Sequence, residues 1–170
     1  MGSVSALLLV LAGVAPVAPV AATQPTSMNL VATSEVYFSS AEQTDRIVAS
    51  VKGASCEDAI FEVSIRHQAA ELFHWSNPLI PQTCEWLKRA PDEAKWALKN
   101  MVNAAVGPVR AANRSCGPPQ EIGCVASPIL ERLRRADVPL VCFTTGAESA
   151  KCVAFDPETK TVVEVWRYSE

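Results

Sequence analysis

Residues 55–75, SCEDAIFEVSIRHQAAELFHW, decide the fold, and the spacing of their apolar positions predicts a helix. Ser55 and Asp58 have the spacing of a capping box at its start, and Asn77-Pro78 breaks the chain soon after Trp75. Ile60, Val63 and Ala70 form one stripe and Phe61, Ile65, Ala69 and Leu72 another, leaving a narrow polar face. A helix with so little polar surface belongs at the centre of a core.

Outward from this segment the same logic extends the helical region. Ser40 and Gln43 repeat the capping signal, Ile47, Val48 and Val51 would face inward, and Gly53 would end that helix. Downstream, residues 82–89 predict a short helix stopped at Ala90-Pro91. A longer one begins with Pro91, Asp92 and Glu93 in its favoured first turn, and Gly107-Pro108 ends it. Ala94, Leu98, Met101 and Ala105 make its inner stripe. A last helix starts at Ser127-Pro128 and runs to Ala136, burying Ile129, Leu130 and Leu133.

Residues 138–144, 152–156 and 161–168 are instead rich in β-branched and aromatic side chains, with Gly146 and Asp156-Pro157 in the gaps. They predict three antiparallel strands. The expected fold is α+β: four to five helices followed by a C-terminal three-stranded antiparallel meander, disulfide-stabilised. Residues 23–170 would form a single mature domain, with 23–39 extended, 40–136 mainly helical and 138–168 in antiparallel strands.

Residues 1–22 are read as a signal peptide. Their apolar stretch, residues 6–15, is shorter than the ~20 residues of a membrane-spanning helix, and Val20-Ala21-Ala22 supplies a small-residue cleavage pattern. No transmembrane anchor is expected after cleavage. The net charge of −3 argues against a nucleic-acid partner, for which a basic excess is expected.

The six cysteines, Cys56, Cys84, Cys116, Cys124, Cys142 and Cys152, contain no C-x-x-C pair and suit three disulfides in an oxidising compartment, secreted or periplasmic. Cys142 and Cys152 are equidistant from Ala147, so a hairpin would oppose them and allow a cross-strand bridge. A helix over residues 55–75 would be ~30 Å long and would hold Cys56 away from Cys84. The pairing of Cys56, Cys84, Cys116 and Cys124 therefore stays open.

Candidate sites are few. His67, Glu71 and His74 fall at i, i+4 and i+7, which on a helix lines three metal ligands along one face, although a packed face of hydrogen-bonded histidines explains the spacing as well. Cys56 at a helix start would favour a thiolate, but both histidines lie turns away on the same helix, so no catalytic role is assigned. Arg132, Arg134 and Arg135 form a basic cluster suited to an anion or acidic partner, or a solvated face. Asn113 opens a glycosylation sequon that matters in a eukaryotic source. Among Trp75, Trp86, Trp96 and Trp166, an exposed one would mark a binding surface.

No cofactor is expected. With no catalytic, cofactor or nucleic-acid signature left to weigh, the expectation by subtraction is a secreted or periplasmic disulfide-stabilised binding protein: an inhibitor, effector or accessory subunit acting on another protein. Alternatives are a carrier of a small apolar ligand or lipid, and a small secreted hydrolase. The three differ in what they require, respectively an exposed apolar or aromatic patch, an enclosed apolar cavity and a polar cleft with perturbed carboxylates.

Overall fold

A computed structural model describes residues 27–88, 90–103, 122–124, 127–146 and 148–168. The expected leader over residues 1–22, the break at Gly107-Pro108, the sequon at Asn113 and Cys116 lie outside the described residues. In chain order the elements are β1 (Met28–Val36), β2 (Asp45–Gly53), β3 (Ile60–His67), β4 (Ala70–Pro78), α1 (Pro81–Leu87), α2 (Pro91–Met101), β5 (Val102–Asn103), β6 (Ile122–Cys124), α3 (Ser127–Arg135), β7 (Leu140–Gly146), β8 (Ser149–Asp156) and β9 (Thr161–Tyr168).

This architecture overturns the expectation of helices first and strands last. Among the described residues the fold is mostly β, in two antiparallel sheets, and residues 40–78 hold strands where two helices were expected. The reason is visible in the side-chain alternation of β3. Phe61, Val63 and Ile65 point inward while Glu62 and Arg66 point out, a period of two that a strand satisfies and a helix does not. In β2, Ile47, Ala49 and Val51 do the same.

The capping residues form their local hydrogen bonds without starting helices. The backbone N–H groups of Glu42 and Gln43 donate to Ser40 Oγ at 3.1 and 3.2 Å, and Asp58 N–H donates to Ser55 Oγ at 3.4 Å. Serine offers the same bond to a tight turn as to a helix start. The β3–β4 hairpin turns at Gln68, a non-glycine residue with φ of 53°. That left-handed conformation carries no glycine to announce it in the sequence.

The first sheet has the order β1-β2-β3-β4, and the second the order β5-β7-β8-β9-β6. The inner face of the first sheet, with Ile47, Val51, Phe61, Val63 and Ile65, packs with Val141, Phe143 and Val153 of the second. Leu87 of α1 and Ala94 and Leu98 of α2 enter the same core. Trp75 and Phe73 meet Phe143 across it, with ring centroids 5.1 and 5.8 Å apart. On the other face of the second sheet, α3 buries Leu130 and Leu133 against Leu140, Ala154 and Val165. Each such side chain contributes about 1.5–3 kcal/mol by leaving water.

Among the described residues two disulfides are formed, one within the second sheet and one between the β2–β3 turn and α1. Cys142 and Cys152 stand directly opposite in the β7–β8 ladder and are bonded, with Cα atoms 4.0 Å apart. Cys56 is bonded to Cys84, with Cα atoms 5.7 Å apart, although a long helix would have kept them apart. The helix does not exist. β3 runs out and β4 runs back, so the chain returns Cys84, on α1, to the end of the sheet where Cys56 sits in the β2–β3 turn. Cys124 lies in β6.

Candidate functional site

Both helices between the sheets open on proline, Pro81 in α1 and Pro91 in α2, where the missing N–H costs no intrahelical bond. Their inward residues are Cys84 and Leu87 in α1 and Ala94 and Leu98 in α2. At 100° per residue this turns Trp86 and Trp96, each two positions beyond an inward residue, toward solvent. The indoles are 55% and 67% exposed, the two most exposed of the described tryptophans.

Together with Gln82, Thr83, Ala97, Asn100, Met101 and Thr144 they line an open cleft of about 390 Å³. None of these side chains is ionised. The cleft therefore presents two broad apolar plates edged by amide and hydroxyl groups, a surface suited to a neutral, partly apolar partner. Tryptophan offers a large contact area with only two side-chain torsions to fix, which favours it at binding surfaces.

A second depression, of about 430 Å³, lies on the outer face of the first sheet and is lined by Val48, Ser50, Lys52, Glu62, Ser64, Arg66, Glu71 and His74. Its charges are largely matched from within. Glu62 accepts from Ser50 Oγ at 3.0 Å and Lys52 Nζ at 3.2 Å, and Arg66 pairs with Glu71 at 3.3 Å. The hydrogen bond from Ser50, aided by Lys52 and opposed by burial, holds the Glu62 carboxyl below its ordinary pKa. An acid held ionised in this way suits an ion pair and not proton donation.

The candidate metal face is split. His67 ends β3, whereas Glu71 and His74 lie together on β4, with His74 Nδ1 4.0 Å from Glu71 Oε2, so the helical spacing that aligned all three is absent. Among the described residues no group of three histidine, cysteine, aspartate or glutamate side chains is placed to hold a metal ion. His67 instead bonds through Nδ1 to Asp45 Oδ1 at 2.7 Å, and Ser39 Oγ lies 3.3 Å from the same nitrogen. A serine nucleophile would need the opposite ring nitrogen from the one the aspartate holds.

Asp45 is fully buried and also accepts from the N–H groups of Phe38 and Ser39, at 3.1 and 2.6 Å, and from Ser39 Oγ at 2.9 Å. The cluster ties the β1–β2 connection to the end of β3.

The arginine cluster is likewise engaged within the fold. Arg132 Nε donates to Asp156 Oδ1 at 3.2 Å, its Nη2 reaches Asp156 Oδ2, and Glu158 lies 3.0 Å away. Arg134 pairs with Glu131, and Arg135 Nε donates to the Glu131 carbonyl at 3.4 Å. α3 is thus pinned to the β8–β9 turn by Arg132, while Arg134 and Arg135 bond back to Glu131 of α3 itself.

Sequence reasoning named Trp86 and Trp96 without placing them. The signal that places them is the inner stripe of Ala94 and Leu98, from which the outward face of α2 follows directly. Comparison with protein-family models, with curated proteins and with solved structures finds no match to this chain.

Proposed function

We propose that this chain is a secreted or periplasmic, disulfide-stapled binding protein that docks on another protein through the α1–α2 face. The observation that carries the reading is the pair of exposed indoles, Trp86 and Trp96, on one cleft whose described lining residues are uncharged. Leaving two tryptophans largely in water forgoes a burial worth several kcal/mol. A partner that covers them recovers it. Two disulfides fit a compartment that keeps cystines oxidised, and among the described residues no helix is long and apolar enough to cross a membrane.

The alternatives find less support. A carrier requires an enclosed apolar cavity, whereas the two depressions formed among the described residues are open, one mainly apolar and the other polar. A two-carboxylate hydrolase requires one carboxylic acid kept protonated, whereas Glu62, in the polar depression, is held toward the ionised form.

The test is affinity capture from the native extracellular or periplasmic fraction with the wild-type chain beside a Trp86→Ala/Trp96→Ala variant. A protein retained by the first and lost by the second supports the reading. Equal retention by both contradicts it.

A further inference from the structure

We propose that β1 pairs with β1 of a second copy of this chain, antiparallel and centred on Ala32, so that the first sheets of two molecules join into one. The edge of a sheet carries a row of backbone N–H and C=O groups that another strand satisfies in full. Among the described residues β1 has β2 on one side and no strand on the other, and no backbone hydrogen bond reaches it from a turn or loop. α2 lies over its inner face, where Ala94 and Leu98 share a core with Met28, Leu30, Ala32 and Val36. The in-plane edge is left open.

The other three sheet edges carry features that deter pairing, and β1 carries none. β5 has two residues and β6 three. β4 breaks its register with β3 at Ile65 and Arg66 and ends on Pro78. β1 keeps nine residues in unbroken register with β2, contains no proline, lysine or arginine, and bears one charge, Glu35. Edges that stay in water are shortened, bulged, or guarded by proline and charge. A long, regular, unguarded edge is one that a strand covers.

The sequence of β1 makes that strand its own. Antiparallel pairing about Ala32 overlaps the whole strand and sets the half-buried row against itself and the exposed row against itself. On the inner side Ala32 faces Ala32 and Leu30 faces Ser34 of the second copy. On the outer side Val31, 44% exposed, faces the β-branched Thr33, a favourable cross-strand pair. Asn29 faces Glu35, so the one carboxylate meets an amide that can donate to it and not its own duplicate. A slip of one residue would oppose inner and outer rows. The contact is isologous and uses up both edges, which stops assembly at a dimer. It involves none of the residues lining the α1–α2 cleft, so it stands or falls separately from docking there.

Sedimentation velocity of the full, oxidised chain over a concentration series reaching the millimolar range tests the pairing. The wild type should show a concentration-dependent dimer. Val31→Lys/Thr33→Lys sets lysine opposite lysine twice across the two-fold axis and should weaken association at least tenfold. Val31→Lys/Thr33→Glu sets lysine opposite glutamate at the same positions and should restore it. Both positions are exposed, so circular dichroism should match the wild type.

A mixture of labelled and unlabelled wild-type chains should also give an intermolecular NOE between the methyl groups of Val31 and Thr33, which needs no variant. A monomer throughout the series overturns the proposal, as does a dimer that lacks this NOE or that the lysine pair leaves intact. Failure of the lysine–glutamate variant to associate while folded overturns the register. A dimer lost in Trp86→Ala/Trp96→Ala and kept in the lysine pair assigns association to the α1–α2 face and overturns the β1 contact.

Discussion

Replacing Asp156 by Asn should separate α3 from the second sheet energetically while leaving the shape of the turn intact. Asp156 is 1% exposed at the end of β8 and accepts from Arg132 Nε, from Arg132 Nη2 and from the Glu158 N–H at 3.1 Å. Breaking a buried ion pair costs about 3–5 kcal/mol when the surviving charge is stranded. The Arg132 side chain, however, is 27% exposed and keeps Glu158 beside it, so water and that carboxylate recover part of the loss. The expected cost at pH 7 is about 2–3 kcal/mol.

Its pH dependence has a definite sign. The hydrogen bonds from Arg132, outweighing burial, hold the Asp156 carboxyl below its ordinary value of 3.8. A carboxyl with a depressed folded-state pKa contributes its full stability above the unfolded value and loses it as pH falls through the folded one. The wild-type advantage should therefore be constant from pH 7 to pH 5 and shrink below about pH 4. Glu62 and Glu164, also held low, are present in both proteins and cancel. Urea unfolding at pH 7, 5 and 3 with the disulfides intact measures the gap. A difference below about 0.5 kcal/mol at pH 7, or a gap undiminished at pH 3, would refute the pairing.

Three further outcomes follow from the backbone and the staples. Gly53→Ala should destabilise by about 1–3 kcal/mol, because an added Cβ would sit 2.5 Å from Ala59 Cα, a backbone atom; Gly146→Ala should be milder, since its first obstacle is the rotatable Ser149 hydroxyl. Thermal melts rank the two. Gln68→Gly relieves a left-handed φ of 53° and should leave stability unchanged or raise it by up to about 1 kcal/mol, whereas in a helix over residues 55–75 the same change would cost about 1 kcal/mol. Serine pairs at Cys56/Cys84 and Cys142/Cys152, closing loops of 28 and 10 residues, should cost about 3.6 and 2.7 kcal/mol by loop entropy. Denaturant unfolding giving the reverse ranking would count against that account.

The readable parts of the chain are those where a backbone constraint and the hydrophobic pattern agree. Pro91 marks a true helix start, Ala94 and Leu98 are a true inner stripe, and the β-branched run after Val138 is a true meander with Cys142 facing Cys152. Residues 40–78 misled because three local signals were ambiguous together. Ser40 and Ser55 make capping bonds that close turns, and the β3–β4 reversal sits on Gln68 where a glycine would have announced it. Apolar residues at 60, 61, 63, 65, 69, 70 and 72 satisfy helical spacing as well as alternation. The deciding pattern was Phe61, Val63 and Ile65 against Glu62, Ser64 and Arg66. That error also produced the metal face of His67, Glu71 and His74 and the doubt over Cys56 and Cys84, since both rested on a 20-residue rod. Trp86 and Trp96 fall outside that error because they stand on α1 and α2, which are helices as expected, although α2 ends at Met101 with β5 following where the sequence carries the helix on to Gly107.

Hydroxyl-radical footprinting of the chain, alone and in its native extracellular or periplasmic fraction, tests the docking claim at single-residue level. Trp86 and Trp96, exposed in the isolated chain, should be oxidised readily when alone and protected in the fraction, while Trp75, packed against Phe61 and Phe143, should be spared in both. Oxidation of Trp86 and Trp96 to the same extent with and without the fraction would contradict a binding role for the α1–α2 face.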